Sequence, residues 1–227
     1  LVQRSFRSNV QDVAWSPDGK YLCFAEVNLD HSLIFMVNAN QGGTLQQISG
    51  MNDSDYGPTF SKDGKYILFN RFDATYGYSI WSYNREGSYF TNYSVGKQVS
   101  CIDDKSFLCT REGNNGLDEI WMVNYETGSE SIILSSNDGK SFSTPSLSPD
   151  GKWILCVGTS PIPNDRKRTQ QLDLFVVRVD GTGLTQLTFH RAHDSSPIWS
   201  PDGKSIYFLS NRGSEKNNVW NIWKMSF

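Results

Sequence analysis

Three aspartates, Asp12, Asp55 and Asp194, each fall at or near the start of a short strand-like segment. Two carboxylates held about 5 to 9 Å apart across a cleft are what glycoside hydrolysis asks of its acid and its base or nucleophile. That trio is therefore the sharpest catalytic reading, although alignment puts Asp12 one residue out of phase with the other two. Asp194 also closes the polar run His190-Arg191-Ala192-His193-Asp194, with Asn211-Arg212 further on. His193, Asp194 and Arg212 are residue types that hold a polar or anionic ligand. Asp194 recurs as Asp55, and Arg212 has approximate counterparts in Arg71 and Arg111, so repetition favours a framework ion pair for these. His193 does not recur, which favours a ligand.

Other chemistry is weaker. Tyr56 and the run from Arg71 through Tyr76 to Tyr78 place aromatics beside charges, a composition suited to stacking on a sugar ring or on a partner's side chain. Asn52-Asp53-Ser54-Asp55 has a calcium-like spacing, but the full loop with its central glycine and terminal glutamate is missing. No dedicated cofactor is expected, a channel cation such as calcium being the one exception considered. The four cysteines, at 23, 101, 109 and 156, form no C-x-x-C pair, which excludes the usual zinc patterns. Cys23, Cys109 and Cys156 fall at core positions and are expected to be inert, free thiols. No G-x-S-x-G nucleophile motif occurs.

The elements that must position these residues are repeats. WSPDGKYLCF at 15–24 returns as FSKDGKYILF at 60–69, LSPDGKWILC at 147–156 and WSPDGKSIYF at 199–208, with a degraded SCIDDKSFLC at 100–109. The turn aspartate thus falls at 18, 63, 103, 150 and 202. Proline presets φ for the first central position of a type I turn, and the glycine after the aspartate takes the left-handed position that closes a bulged hairpin. A third strand follows in each copy (IFMVN at 34–38, IWSYN at 80–84, IWMVN at 120–124, LFVVR at 174–178, IWKM at 222–225), and a fourth closes four of the five. Units of four strands at this period are propeller blades.

The predicted fold is all-β: a five-bladed β-propeller of four-stranded antiparallel blades in one domain. The blades cover about 10–50, 51–94, 95–136, 137–190 and 191–227. The fifth unit stops after its third strand, and LVQRSF at 1–6 reads like LTQLTF at 184–189. Residues 1–8 are therefore expected to complete the last blade, because an open array leaves an unpaired edge. In such a fold the loops at 26–32, 71–79, 111–118, 159–172 and 211–218 emerge with the starts of the inner strands. Loops carried on a rigid scaffold are where binding tends to sit. The insertion at 159–172 is basic and exposed in character.

The SPDGK turns, the D-x-x-P of Asp55-Tyr56-Gly57-Pro58 and of Asp194-Ser195-Ser196-Pro197, the SNRG at 210–213 and the GTGLTQLT at 181–188 together resemble TolB-type propeller repeats. The resemblance covers essentially the whole chain. It implies a binding platform, periplasmic or extracellular, rather than an enzyme, although TolB itself has six blades and an α/β domain. The expected partner is a protein or a glycan. The alternatives are a carbohydrate-active enzyme using Asp12, Asp55 and Asp194, and the propeller of a prolyl-peptidase-like or sensor protein. Composition sets outer limits. A formal net charge of −3 over 227 residues argues against nucleic acid, and no apolar run approaches the ~20 residues of a membrane span. A first residue of leucine, not methionine, is expected of a processed or trimmed chain.

Overall fold

The computed structural model describes residues 9–28, 31–40, 44–50, 54–161, 170–213 and 219–227. Five antiparallel sheets, with no helix among the described residues, make the chain a five-bladed all-β propeller. The first sheet is β1 (Val10–Trp15), β2 (Tyr21–Val27), β3 (Ser32–Asn38) and β4 (Gln46–Gln47), and the second is β5 (Ser54–Phe60), β6 (Tyr66–Asp73), β7 (Gly77–Asn84) and β8 (Tyr89–Val95). The third is β9 (Lys97–Cys101), β10 (Ser106–Glu112), β11 (Asp118–Asn124) and β12 (Glu130–Leu134). The fourth is β13 (Phe142–Leu147), β14 (Trp153–Pro161), β15 (Gln170–Arg178) and β16 (Thr185–Gln186). The fifth is β17 (Asp194–Trp199), β18 (Ser205–Ser210) and β19 (Asn221–Ser226), three strands among the described residues. Residues 1–8, expected to supply its fourth strand, lie outside the described residues, as do Asp53 and the basic stretch at 162–169.

The repeated turn is built by its own side chains. Ser16 Oγ donates to Asp18 Oδ1 at 2.6 Å and accepts from the Tyr21 amide at 2.9 Å, while the same aspartate oxygen accepts from the Lys20 amide. The arrangement recurs around Ser61, Ser148 and Ser200. Gly19, Gly64, Gly151 and Gly203 take φ between +67° and +73°, where a Cβ would be strained. The serine hydroxyl, then the lysine amide, holds the carboxyls of Asp18, Asp150 and Asp202 below the usual aspartate range. In the degraded third copy Asp103 alone caps the turn, accepting from the amides of Lys105 and Ser106.

The chain falls into two compact units, residues 1–107 with 124–129, and residues 108–123 with 130–227. Within each, the inner strand of one sheet covers the face of the sheet before it: β5 packs on β1, β2 and β3, and β17 packs on β13, β14 and β15. The first interface buries Cys23, Ala25, Ile34, Met36 and Ile48 against Phe60, Ile67, Phe69 and Tyr83. The second buries Leu155, Val157 and Leu174 against Ile206 and Phe208, with Trp199 and Met225 at its margin. Alternation in the strands supplies one apolar face to each neighbour. All four cysteines are free and buried. Burial pushes the thiols of Cys23, Cys101 and Cys156 up to about 12 and that of Cys109 to about 11, so none is a nucleophile at neutral pH.

One predicted loop is mostly strand. The stretch 71–79 continues the ladder through Arg71↔Ser79, Phe72↔Tyr78 and Asp73↔Gly77, leaving only 74–76 to turn. Asp73 Oδ1 accepts from the amides of Thr75 and Tyr76, and Gly77 at φ +76° closes the hairpin. Of the stretch 159–172, the described residues at both ends are also strand, β14 and β15 pairing out to Pro161↔Gln170. Extension brings the aromatics of β7 up beside Arg71.

Candidate functional site

Every inner strand carries one residue at positive φ at the same step of the repeat: Asp12 (53°), Gly57 (59°), Gln98 (58°), Thr144 (51°) and Ser196 (49°). Register breaks at that step in β1, β5, β13 and β17 identify it as a β-bulge. A bulge re-aims the strand start and shifts its side chains. Proline follows at Pro58, Pro145 and Pro197, and disfavours right-handed helical conformation for the residue before it. The bulge corrects the sequence alignment. Asp12 occupies the position of Gly57 and Ser196, two residues from the position of Asp55 and Asp194, not one. Its Oδ2 accepts from the Gly57 amide at 3.0 Å, tying one bulge to the next. A Cβ on Gly57 would lie 2.6 Å from Asn70 Nδ2. Asn70 meanwhile donates to the Tyr56 carbonyl and accepts from the Val99 amide, carrying the link into the third sheet.

Asp55 and Asp194 have another role. Asp55 pairs directly with Arg71 across β5 and β6, and Arg71 Nε and Nη2 reach its two oxygens at 2.8 and 2.9 Å. Asp194 is opposite Ser210, so its partner comes from two residues further on. Arg212 Nη2 reaches Asp194 Oδ2 at 2.6 Å while Arg212 Nε donates to Ser210 Oγ at 2.9 Å. In the third sheet Arg111 turns outward and binds Glu130 of β12 through both terminal nitrogens, each at 2.7 Å. Hydrogen bonding from Arg111 holds the Glu130 carboxyl below its usual range. Each guanidinium lies over the third-strand tryptophan of its own blade, Arg71 at 4.4 Å from Trp81, Arg111 at 4.8 Å from Trp121 and Arg212 at 5.2 Å from Trp223. The two blades without this tryptophan have Phe35 and Phe175 there. Asp55 and Asp194 expose no surface. A carboxylate shut away from solvent and bound to a guanidinium is an anchor between strands; of the three aspartates, Asp12 alone is exposed.

His193 is half-buried and also pinned. Its Nδ1 accepts from the Leu172 amide at 3.1 Å, which places the proton of a neutral ring on Nε2, and its own amide donates to Asn211 Oδ1. Tyr56 is half-buried, edge-on to Tyr78 at 6.3 Å, and burial pushes its phenol well above the usual range. Among the described residues no group of three or more His, Cys, Asp or Glu could hold a metal ion.

Two buried carboxylates went unread in the sequence. Glu119 and Asp173 occupy equivalent positions, immediately before the Ile120-Trp121 and Leu174-Phe175 of the third strand. The signal was there, since Ser79 and Asn221 make the same position polar in two further copies. Asp173 is saturated by donors: Ser160 Oγ, Gln171 Nε2, Gln186 Nε2 and Thr188 Oγ1. Glu119 accepts from the Ser136 amide, the Ser136 hydroxyl and Trp121 Nε1, and it faces a cavity.

Two recesses open where the second-to-third-strand hairpins meet the ends of the fourth strands. That of the second sheet, about 440 Å³, is lined by Arg71, Asp73, Tyr76, Tyr78, Trp81 and Asn92. Tyr76 is 85 % exposed. That of the third sheet, about 480 Å³, is lined by Arg111, Asn115, Glu119, Trp121, Ile132 and Ser136 among others. Both volumes suit a side chain or a small organic group. The sequence-predicted Arg71 and Tyr76 meet in the first of these, and Arg111 lines the second.

Comparison with known proteins bears on the fold. No family model matches the chain. A putative TolB from Agrobacterium tumefaciens superposes with a TM-score of 0.75 at 20 % identity, over 96 % of this chain and 77 % of that one. TolB from Acinetobacter baumannii does so with a TM-score of 0.71 at 21 % identity, over 96 % and 51 %. In sequence, a stretch of 67 residues is 40 % identical to dipeptidyl-peptidase 5 of Porphyromonas gingivalis, covering 30 % of this chain and 10 % of that protein. The chain spans less than two thirds of the length of curated relatives it matches in sequence. The fold is TolB-like.

Proposed function

We propose that this chain is a non-enzymatic, protein-binding propeller of TolB-like type in an exported protein, periplasmic or extracellular, and that it engages its partner at the sheet ends bearing the bulges and recesses. The observation that carries the reading is the second-sheet recess. Tyr76 stands almost wholly exposed at its mouth with Tyr78, Trp81 and Arg71 behind it. Aromatic and arginine side chains around a cavity are the composition of an interface anchor, whose truncation costs 2 kcal/mol or more, about 30-fold in affinity. The likeness to TolB structures supports the class of function, and the burial of Asp55 and Asp194 leaves one exposed candidate, Asp12, where hydrolysis needs two carboxylates. The expected result is that Tyr76→Ala cuts capture of the partner from an envelope extract by at least about tenfold while the melting temperature stays unchanged. Equal capture by wild type and variant contradicts the reading.

A second reading, the propeller portion of a peptidase, rests on the stretch shared with dipeptidyl-peptidase 5. A native gene product carrying a hydrolase domain with its own serine nucleophile would favour it.

A further inference from the structure

We infer that the third-sheet recess takes the side chain of a lysine presented by the protein partner, an inference that rests on the protein-binding reading above. Glu119 is 7 % exposed and, among the described residues, its carboxylate is met by neutral donors: the Ser136 amide at 3.0 Å, the Ser136 hydroxyl at 2.9 Å and Trp121 Nε1 at 3.2 Å. A buried carboxylate without a cation is costly, and this one looks into open space. Arg111, a cation on the same lining, is already neutralised by both oxygens of Glu130. With Glu112 also on the lining, the recess carries net negative charge.

The hydrogen-bond count leaves one lone pair over. Glu119 Oε1 accepts from the Ser136 amide and Asn115 Oδ1 from the Leu117 amide, and the Ser136 hydroxyl lies 2.9 Å from both oxygens with one proton to give. The two oxygens lie 2.9 Å from the same atom, and the inferred ammonium donates to both. An ammonium has three donors free to rotate, whereas a guanidinium needs two carboxylate oxygens side by side. Glu119 cannot offer those, because Oε2 is held by the Trp121 indole. Trp121 and the half-exposed Ile132 supply apolar wall for a four-carbon stem. Gly113 completes the fit from behind, since a Cβ there would lie 2.8 Å from the Glu119 carboxyl carbon. A volume of about 480 Å³ exceeds the need of a bare ion and suits an organic cation.

The test is a ¹H–¹⁵N titration of the chain with acetyl-Gly-Lys-Gly-amide, its Nε-acetylated form and n-butylammonium. The expected result is saturable shifts confined to 111–121 and 132–137 for the lysine peptide, none for the acetylated one, and weaker binding of butylammonium. Glu119→Gln weakens the lysine peptide by about tenfold, the worth of one charge-assisted hydrogen bond. Ile132→Ser, at an exposed position that the fold does not need, weakens it about threefold and keeps the test intact if Glu119→Gln fails to fold. Absence of saturable shifts, equal binding of the acetylated peptide, or affinity indifferent to both substitutions overturns the lysine site. Butylammonium binding as tightly as the peptide overturns its assignment to a protein partner. If the lysine site fails while Tyr76→Ala still abolishes capture, the platform reading stands alone.

Discussion

Asp55→Ala lowers the stability of the folded chain by about 3–5 kcal/mol in denaturant unfolding, because it strands the Arg71 guanidinium among buried side chains. Asp55 exposes nothing and the Arg71 side chain is 13 % exposed, so little solvent is available to replace the lost partner. Arg71 also stacks on Trp81 and supports the wall of the second-sheet recess, and its release loosens both. The double replacement Asp55→Leu with Arg71→Met recovers most of the loss, since an apolar pair of similar volume needs no compensating charge. This outcome separates an anchor from a catalytic acid, whose removal ordinarily leaves stability intact. A loss below about 1 kcal/mol, the range of a surface pair, contradicts the assignment.

Phe69→Ala costs about 3–5 kcal/mol for a different reason. The ring is fully buried in the interface between the first two sheets, among Cys23, Ile34, Ile67 and Tyr83, with Phe90 edge-on at 6.3 Å. Removing it leaves a cavity that two rigid sheets cannot close. Phe72, three residues along the same strand and 41 % exposed, is the control, and its truncation stays within about 0.5–1 kcal/mol. Urea midpoints of the two variants measure the contrast, and equal midpoints would mean that the sheets do not pack through Phe69.

The blades were legible because their turns are chemically self-sufficient. A serine, an aspartate and a glycine at fixed spacing close the hairpin in four copies without help from the rest of the chain, and the fifth keeps the aspartate, so the five turns announce five sheets. The hairpin at 71–79 was read as a loop because its charged and aromatic residues resemble loop composition, and only cross-strand pairing shows that Arg71 and Ser79 are ladder partners. The bulges were harder still. Thr144 and Gln98 are ordinary residues that sequence would not place at positive φ, and only Gly57 hints at it. Asp12 shares its column with Gly57 and Ser196, where the bulge ties it to the next sheet. The Asp–Arg units were foreseen by type, but Arg212 and Arg71 arrive from different strand positions, a convergence that spacing alone conceals. Glu119 and Asp173 escaped because each is a lone acid before an apolar strand, a place that reads as the strand's solvated end. Burial comes from the residues just past the fourth strands, where Ser136 and Thr188 fold over them.

What emerges is a division of labour. Residues that recur, the turn serines, bulges and stacked arginines, hold the blades together. Tyr76 and Asn115, which do not recur, and Glu119, which unlike its counterpart Asp173 faces a cavity, are placed to meet a partner. Site-specific photo-crosslinking in the native extract tests this most directly, with the reactive residue placed at Tyr76 and Asn114 beside the recesses and at Asp18 and Asp150 in the repeated turns. The account predicts adducts to a common protein from the first two positions and none from the turns. Adducts formed from Asp18 or Asp150 alone would contradict it.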